Sequence, residues 1–274
     1  MPELPEVETV RRALQPVMEG ARFEKVVARR PDLRTALPTR FAARLRGQTV
    51  VRLARRGKYL VADLSSGQTL LMHLGMSGSF RIDLSSTSRA ARAHDHIVFH
   101  MSSGAIVTFN DPRRFGMMEL VASRALREHR VFRLLGAEPL TTEFDAAVLA
   151  RLARRRRTTL KAFLSDQRLI AGLGNIYASE ALHYAGLSPR RRASTIATRS
   201  GEPRDAARRL VVAIKKVLSH ALKRTERPDA DEAGSEFRVY DREGEPCLRR
   251  GCRGVIRRIA QAGRSTFYCP ICQL

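Results

Sequence analysis

Apolar residues recur along this chain with two different periods, and the change from one to the other falls near its middle. Residues 5–18 carry Val7, Val10, Leu14 and Val17 at helical spacing. Pro5 suits a first helical position, Glu6 and Glu8 complement the positive end of the helix dipole, and Gly20 is a stop. From there to about residue 121 come short strand-like runs rich in Val, Leu, Ile and Phe. They lie at 49–53, 59–64, 69–74, 79–84, 96–101 and 105–109, with Ser-Gly or polar turns between them. The pattern predicts an antiparallel β-sandwich or barrel behind an N-terminal helix, with 85–93 as a mobile loop.

After Gly136 and Pro139 the period becomes helical, with segments near 143–155, 159–166, 175–185 and 205–222. In the last of these, Leu210, Ile214, Val217 and Ala221 predict a buried face, while Arg208, Arg209, Lys215 and Lys216 face elsewhere. Residues 223–236 are charged and nearly free of large apolar groups, which predicts a linker or flexible loop. The chain then divides into an N-terminal domain at 1–133, an all-helical domain at 134–225, a loop at 226–236 and a small cysteine module at 237–274. The fold class is α+β.

Charge narrows the choice of partner. Fifty Lys and Arg against 27 Asp and Glu give a formal charge of +23. Nucleic acid is the usual partner for such an excess, because each neutralised phosphate releases condensed counterions. A membrane fits less well, since the basic residues are spread along the whole chain and no uncharged stretch is long enough to span a bilayer. The segment MPELPEVETV is acidic and has no apolar signal region, so the expected location is the cytoplasm.

All four cysteines lie at the C-terminal end, as Cys247-x4-Cys252 and, sixteen residues on, Cys269-x2-Cys272. Two close thiolate pairs suit a tetrahedral Zn²⁺, and four thiolates leave no open position, so one structural zinc is expected. The plainer reading, four unrelated buried thiols, gives so small a module too little core.

Gly172-Leu-Gly174-Asn175 opens a helix, which places backbone amides at a helix N-terminus as an anion site. Asn175 acting merely as an N-cap is an equally good reading. A dinucleotide fingerprint is excluded by Tyr177 where glycine is needed. Met76 in Gly75-Met-Ser-Gly78, with Arg113 and Phe115 in Asn110-Asp-Pro-Arg-Arg-Phe-Gly116, offers apolar wedges plus arginine, which base eversion requires. His94-Asp-His96 lacks a third metal ligand, which leaves His94 as a phosphate contact or a surface residue. The run Arg154–Arg157 would ordinarily be a solvated helix face, but on a chain of this charge phosphate contacts are expected there, with Arg157 and Lys161 one helical turn apart.

At the N-terminus, removal of Met1 would expose the secondary amine of Pro2, a nucleophile for an aldehydic carbon. An α-amine titrates near ~8, and a nearby helix N-terminus disfavours its protonated form further. Glu3 and Lys58 could move protons beside it. On residue chemistry alone a plain helix start with a surface lysine accounts for the same positions.

Several segments, in order, resemble one family. PELPEVET at the start, GKYL with Lys58, HLGMSGS with Met76, HDH from His94, DPRRFG with Arg113 and Phe115, GLGNIYASEAL with Asn175 and GRSTFYCPIC with Arg264 all resemble the formamidopyrimidine-DNA glycosylases. The resemblance spans the chain. It implies an N-terminal β-sandwich with its helix, a helix-two-turn-helix domain and a C-terminal zinc finger. It further implies a bacterial base-excision enzyme, monomeric in the cytosol or nucleoid, that removes 8-oxoguanine and formamidopyrimidines from damaged double-stranded DNA. By the same resemblance Pro2 forms a Schiff base at C1′, Glu3 assists sugar opening, Lys58 serves β-elimination and Arg264 serves δ-elimination. Met76, Arg113 and Phe115 fill the space of the everted base. His94, Arg157 and Asn175 hold DNA phosphates; Lys161, on its charge, and Glu6 are grouped with the DNA-binding residues.

Two departures stand out: the first cysteine pair is spaced by four residues where the family usually has two, and 223–236 is short and acidic, so no base-recognition residue is assigned there. Two alternatives remain at this stage. An endonuclease VIII-type enzyme for oxidised pyrimidines usually begins Pro-Glu-Gly-Pro and lacks DPRRFG. A non-catalytic zinc-finger protein would not need a free proline amine.

Overall fold

The computed structural model describes residues 2–84, 90–225 and 237–274. The loop expected at 226–236, and the 85–89 part of the one expected at 85–93, lie outside the described residues. The chain forms two compact units, Met1–Leu134 and Leu135–Leu274.

The first unit opens with helix α1, Leu4–Met18, with Glu3 at its N-cap and the Glu6 carboxylate accepting the Glu3 backbone N–H at 2.8 Å. The helix thus begins one residue before Pro5, which takes the second helical position, where its missing N–H costs nothing. Strand β1 (Phe23–Ala28) and the short helix α2 (Phe41–Leu45) follow, then β2 (Val50–Arg56), β3 (Tyr59–Leu64), β4 (Gln68–His73), β5 (Ser79–Asp83), β6 (Asp95–Met101), β7 (Ile106–Asn110) and β8 (Met117–Ala122). They pair antiparallel in two four-stranded sheets, ordered β1-β6-β7-β5 and β2-β3-β4-β8. The inward residues of both sheets share one core. Phe23, Ile97, Phe99, Val107 and Phe109 from one sheet meet Leu53, Leu60, Ala62, Leu70 and Met72 from the other, and Val7, Leu14 and Met18 of α1 close it. β3 and β4 are buried along most of their length, as central strands covered on both faces are. Strands β1 and β8 fall outside the runs singled out from the sequence, because FEKVVA and MMELVA each carry charge among few branched residues.

In the second unit helix α3 runs Ala146–Ala153, α4 Leu160–Ser165, α5 Asn175–Ala185 and α6 Asp205–Thr225, and the hairpin β9 (Arg257–Gln261) and β10 (Arg264–Tyr268) belongs to the cysteine module. The helix expected at 143–155 is shorter at both ends. Asp145 caps it by accepting the Val148 N–H at 2.7 Å, and it stops at Ala153 because Arg155 takes a left-handed φ of 60°. Arg157 therefore lies outside any helix and is not one turn from Lys161, which corrects that expectation. At the other end, α6 runs three residues beyond the expected 222, since Lys223 and Arg224 complement the negative end of its dipole. Leu210, Ile214, Val217 and Ala221 are buried as the period requires. No helix among the described residues is long and apolar enough to cross a membrane.

Candidate active site and nucleic-acid interface

In the first unit Pro2 precedes the α1 N-terminus and is half-buried, while Glu3 beside it is 1 % exposed. Lys58 sits on the two-residue turn joining β2 to β3, where Gly57 adopts φ 57°, and is 6 % exposed. Arg55 links these two places: its Nε donates to Glu8 of α1 at 3.1 Å and its Nη1 donates to the Gly57 carbonyl at 2.9 Å. Glu8 also accepts from Arg11 and Arg12. Burial alone would raise the Glu8 pKa, but these guanidinium partners hold it below the usual carboxylate range. The turn bearing the buried lysine is thereby tied to the helix that starts at Glu3.

Past β4, Gly75 permits two loops to touch. A Cβ on it would stand 2.3 Å from the Phe115 carbonyl carbon, and its φ is 65°. Met76 on one loop and Phe115 on the other are 42 % and 43 % exposed, large apolar groups held out in solvent, and the Arg113 guanidinium lies 4.8 Å from the centre of the Phe115 ring. Beneath them Asp111, fully buried, accepts from Ser77 Oγ at 2.6 Å and from the Gly116 N–H at 2.7 Å. Its backbone carbonyl also meets His96 Nε2 at 2.9 Å. His96 is thus engaged in the scaffold, and His94, exposed with φ 67°, joins it through its backbone carbonyl, which accepts the Asp111 N–H at 3.1 Å.

His73 ends β4 beside this loop, and its Nδ1 accepts the Gly75 N–H at 3.0 Å. Burial, helped by the Lys58 and Arg34 charges, pushes its pKa from 6.5 down to about 4. The unfolded chain therefore binds this proton at higher pH than the folded one. The stability contributed is complete above pH ~6.5 and is lost as pH falls toward 4, about 3 kcal/mol at most. Melting of the first unit followed from pH 7 to 4 is expected to show this slope, and His73→Gln to flatten it; an unchanged slope in the variant would remove His73 as its source.

In the second unit, Lys161 of α4 is 3 % exposed and donates to Asn175 Oδ1, while Asn175 Nδ2 donates to the Ser265 carbonyl of β10 at 2.9 Å. Gly174, not Asn175, occupies the N-cap, so the amide side chain joins helix to hairpin instead of capping. The turn before α5 is shaped by Gln167, which accepts the Gly172 N–H at 2.9 Å and donates to the Leu173 carbonyl at 2.6 Å. Arg264 follows the two-residue hairpin turn at Ala262 and Gly263, both with positive φ, as a twisted hairpin requires. With Lys161, Asn175 and Asp166 it lines a cavity of about 220 Å³. Arg157 is exposed and does not line that cavity.

The four cysteine sulfurs lie within 4.8 Å of one another, with Cys247 to Cys272 at 3.7 Å and Cys252 to Cys269 at 3.6 Å. A tetrahedron of 2.3 Å Zn–S bonds has edges of about 3.8 Å, so the set fits zinc. Burial and the facing Cys247 and Cys269 sulfurs push the Cys272 thiol up, a penalty that a divalent cation at the centre reverses. Among the described residues no other cluster of three such ligands occurs, His94-Asp-His96 included.

Family models match all three parts of the chain: the formamidopyrimidine-DNA glycosylase N-terminal domain over residues 1–118, the H2TH domain of the same glycosylase over 135–229, and the zinc finger found in FPG and IleRS over 244–274. The chain belongs to the formamidopyrimidine-DNA glycosylase family. It is 56 % identical to the formamidopyrimidine-DNA glycosylase of Bradyrhizobium diazoefficiens and 55 % identical to that of Rhodopseudomonas palustris, each alignment covering all of both chains. Among solved structures it is similar to the Lactococcus lactis formamidopyrimidine-DNA glycosylase bound to DNA with an abasic site, at TM-score 0.85 and 31 % identity over 99 % of each chain. A similar match, TM-score 0.85 at 32 %, is to MutM in complex with DNA containing carbocyclic 8-oxoguanine. The fold is accordingly that of the family, an α+β chain with helix-two-turn-helix and zinc-finger parts, and the finger holds one structural zinc.

Sequence reasoning missed the residues that fix this glycosylase-family scaffold. The clearest is Glu180, 3 % exposed on α5, which accepts the backbone N–H groups of Arg238, Val239 and Tyr240, each at 2.9 Å. Only the oddity of a glutamate amid the apolar helix IYASEAL could have signalled it. Glu180→Ala would leave three donors unpaired, one buried and two half-buried, about 3 kcal/mol of destabilisation, whereas Glu180→Gln keeps one acceptor and loses less. Denaturant melts of the two variants would check the order.

Proposed function

We propose that the protein is a bifunctional DNA glycosylase and lyase of base excision repair, acting on 8-oxoguanine and formamidopyrimidines in duplex DNA. The carrying observation is an acid buried at the N-cap directly beside the chain's secondary amine, with a buried lysine on a turn fastened to the same helix. With Met1 removed, the Pro2 nitrogen attacks C1′ and sheds its proton as the glycosidic bond breaks and the base leaves with a proton; the C1′–O4′ bond then opens, O4′ takes up a proton and C1′ is left as an iminium ion. The α1 dipole disfavours the protonated amine, and Glu3 exchanges protons with the opening sugar. Lys58 serves the β-elimination of the 3′ phosphate and Arg264 the δ-elimination of the 5′ phosphate, leaving a one-nucleotide gap.

Met76, Phe115 and Arg113 occupy the space of the everted nucleotide, with Arg113 facing the estranged cytosine. Rigid support from Asp111 suits that role, because a wedge that yielded could not hold bases apart. His94, Arg157, Lys161 and Asn175 bind backbone phosphates, and Glu6 acts through the Glu3 amide it accepts. The zinc has no open coordination position and holds the finger in shape. The enzyme works as a monomer in the bacterial cytosol or nucleoid.

The test is borohydride trapping on duplex DNA carrying 8-oxoguanine opposite cytosine, with a thymine-glycol duplex in parallel and the cross-linked peptide mapped. An adduct at Pro2 formed mainly on the purine lesion is the expected result. A preference for thymine glycol would favour the endonuclease VIII-type reading, and no adduct on either would favour binding alone.

A further inference from the structure

A cavity of about 490 Å³ in the second unit is lined by Arg154, Arg155, Arg199 and Arg204 together with Ser194 and other small polar residues, and by no acidic side chain. Four arginines around one cavity with no carboxylate among its lining make it strongly basic, a setting that suits an anion. Two of them are held in place by specific means. Arg154 donates from Nε to the Arg199 carbonyl at 2.8 Å, and its stem lies against Gly201, where an added Cβ would stand 3.3 Å away. Its terminal nitrogens make no hydrogen bond to any described residue, which leaves two donors aimed elsewhere. Arg155 has a φ of 60°, a conformation that costs a side-chain-bearing residue of the order of 1 kcal/mol. The same left-handed residue ends α3 and so fixes the corner at which Arg154 and Arg155 stand.

We infer that this cavity is a further phosphate site, which grips the DNA backbone at a phosphate next to the one that Arg157 binds in the reading above. Arg155 and Arg157 are two residues apart, so their backbones are separated by at most about 7 Å, close to the spacing of neighbouring phosphates along one DNA strand. Forked guanidinium donors match the oxygens of a phosphodiester. The inference rests on the DNA-repair reading above.

The test uses full-length zinc-loaded protein and duplexes with a tetrahydrofuran abasic analogue, one ending just past the lesion and one a full helical turn longer on each side. Arg155→Gly and Arg199→Gln are the variants; glycine removes the left-handed strain, so Arg155→Gly keeps or raises the melting temperature. On the long duplex each variant is expected to lose roughly three- to tenfold in affinity, and the slope of log K against log salt to shrink by about 0.9. On the short duplex both should bind as the parent does, and both should excise 8-oxoguanine from the short duplex at the parent's rate. Equal affinity and slope on both lengths would overturn the inference, as would equal losses on both. Failure of the parent protein to excise from either duplex would instead sink the repair reading.

Discussion

Protein that retains Met1, or carries any residue ahead of Pro2, is expected to lose base excision by at least about a thousandfold, equivalent to about 4 kcal/mol of transition-state stabilisation. The cause is chemical and not steric. Extension turns the Pro2 secondary amine into a tertiary amide whose nitrogen lone pair is delocalised, so no iminium ion can form. Affinity for an abasic-analogue duplex should fall far less, because the proposed phosphate contacts of His94, Arg157, Lys161 and Asn175 do not involve that nitrogen. Single-turnover excision and equilibrium binding, measured on processed and unprocessed protein from one preparation, separate the two effects. Undiminished excision by the extended protein would mean that another amine is the nucleophile. Pro2→Gly is a poorer probe, since it presents a primary amine at the same place.

Chelation of the metal, or Cys269→Ser, is expected to abolish specific duplex binding while leaving the first unit folded. A structural zinc contributes about 10 kcal/mol or more to a module of this kind. The finger's own core is small, with Val239, Ile256, Phe267 and two of the cysteines as its buried members. Without the cation, four crowded sulfurs must be protonated or separate, and the hairpin that carries Arg264 and accepts from Asn175 loses its base. The first unit has an independent core across its two sheets and should still melt cooperatively. Zinc content, duplex affinity and thermal melts of parent and variant would be measured together. Retained binding by zinc-free protein would show that the helices alone grip DNA.

Much of this was legible in the sequence, for identifiable reasons. The α6 stripe Leu210, Ile214, Val217 and Ala221 is read correctly because one face of a long helix must be apolar. The cysteine spacing announces its cluster because four soft ligands in two close pairs have few other uses. What escaped was held by tertiary contact. The end of α3 depends on Arg155 adopting a left-handed backbone, which no periodicity encodes, and so the arginine run looked like a continuing helix face. Asn175 has the composition of a cap, but its partners lie on α4 and β10, distant in sequence. Glu180 satisfies backbone groups far along the chain, Asp111 and Gln167 satisfy groups in their own turns, and Arg55 joins its turn to Glu8; pattern alone gives none of them a mark.

The joint between α5 and the finger is fastened at both ends: Asn175 meets Ser265 near the start of the helix, and Arg249 reaches the His183 and Tyr184 carbonyls at its end. Between them Glu180 holds three successive amides of the segment that leads into the finger. Arg249 lies inside the lengthened Cys247-x4-Cys252 loop, so the two extra residues supply a strut. Helix and hairpin are therefore one lever. A push at the tip of the hairpin is delivered to the root of α5 with little lost in the joint, and the hairpin cannot swing without carrying the helix along.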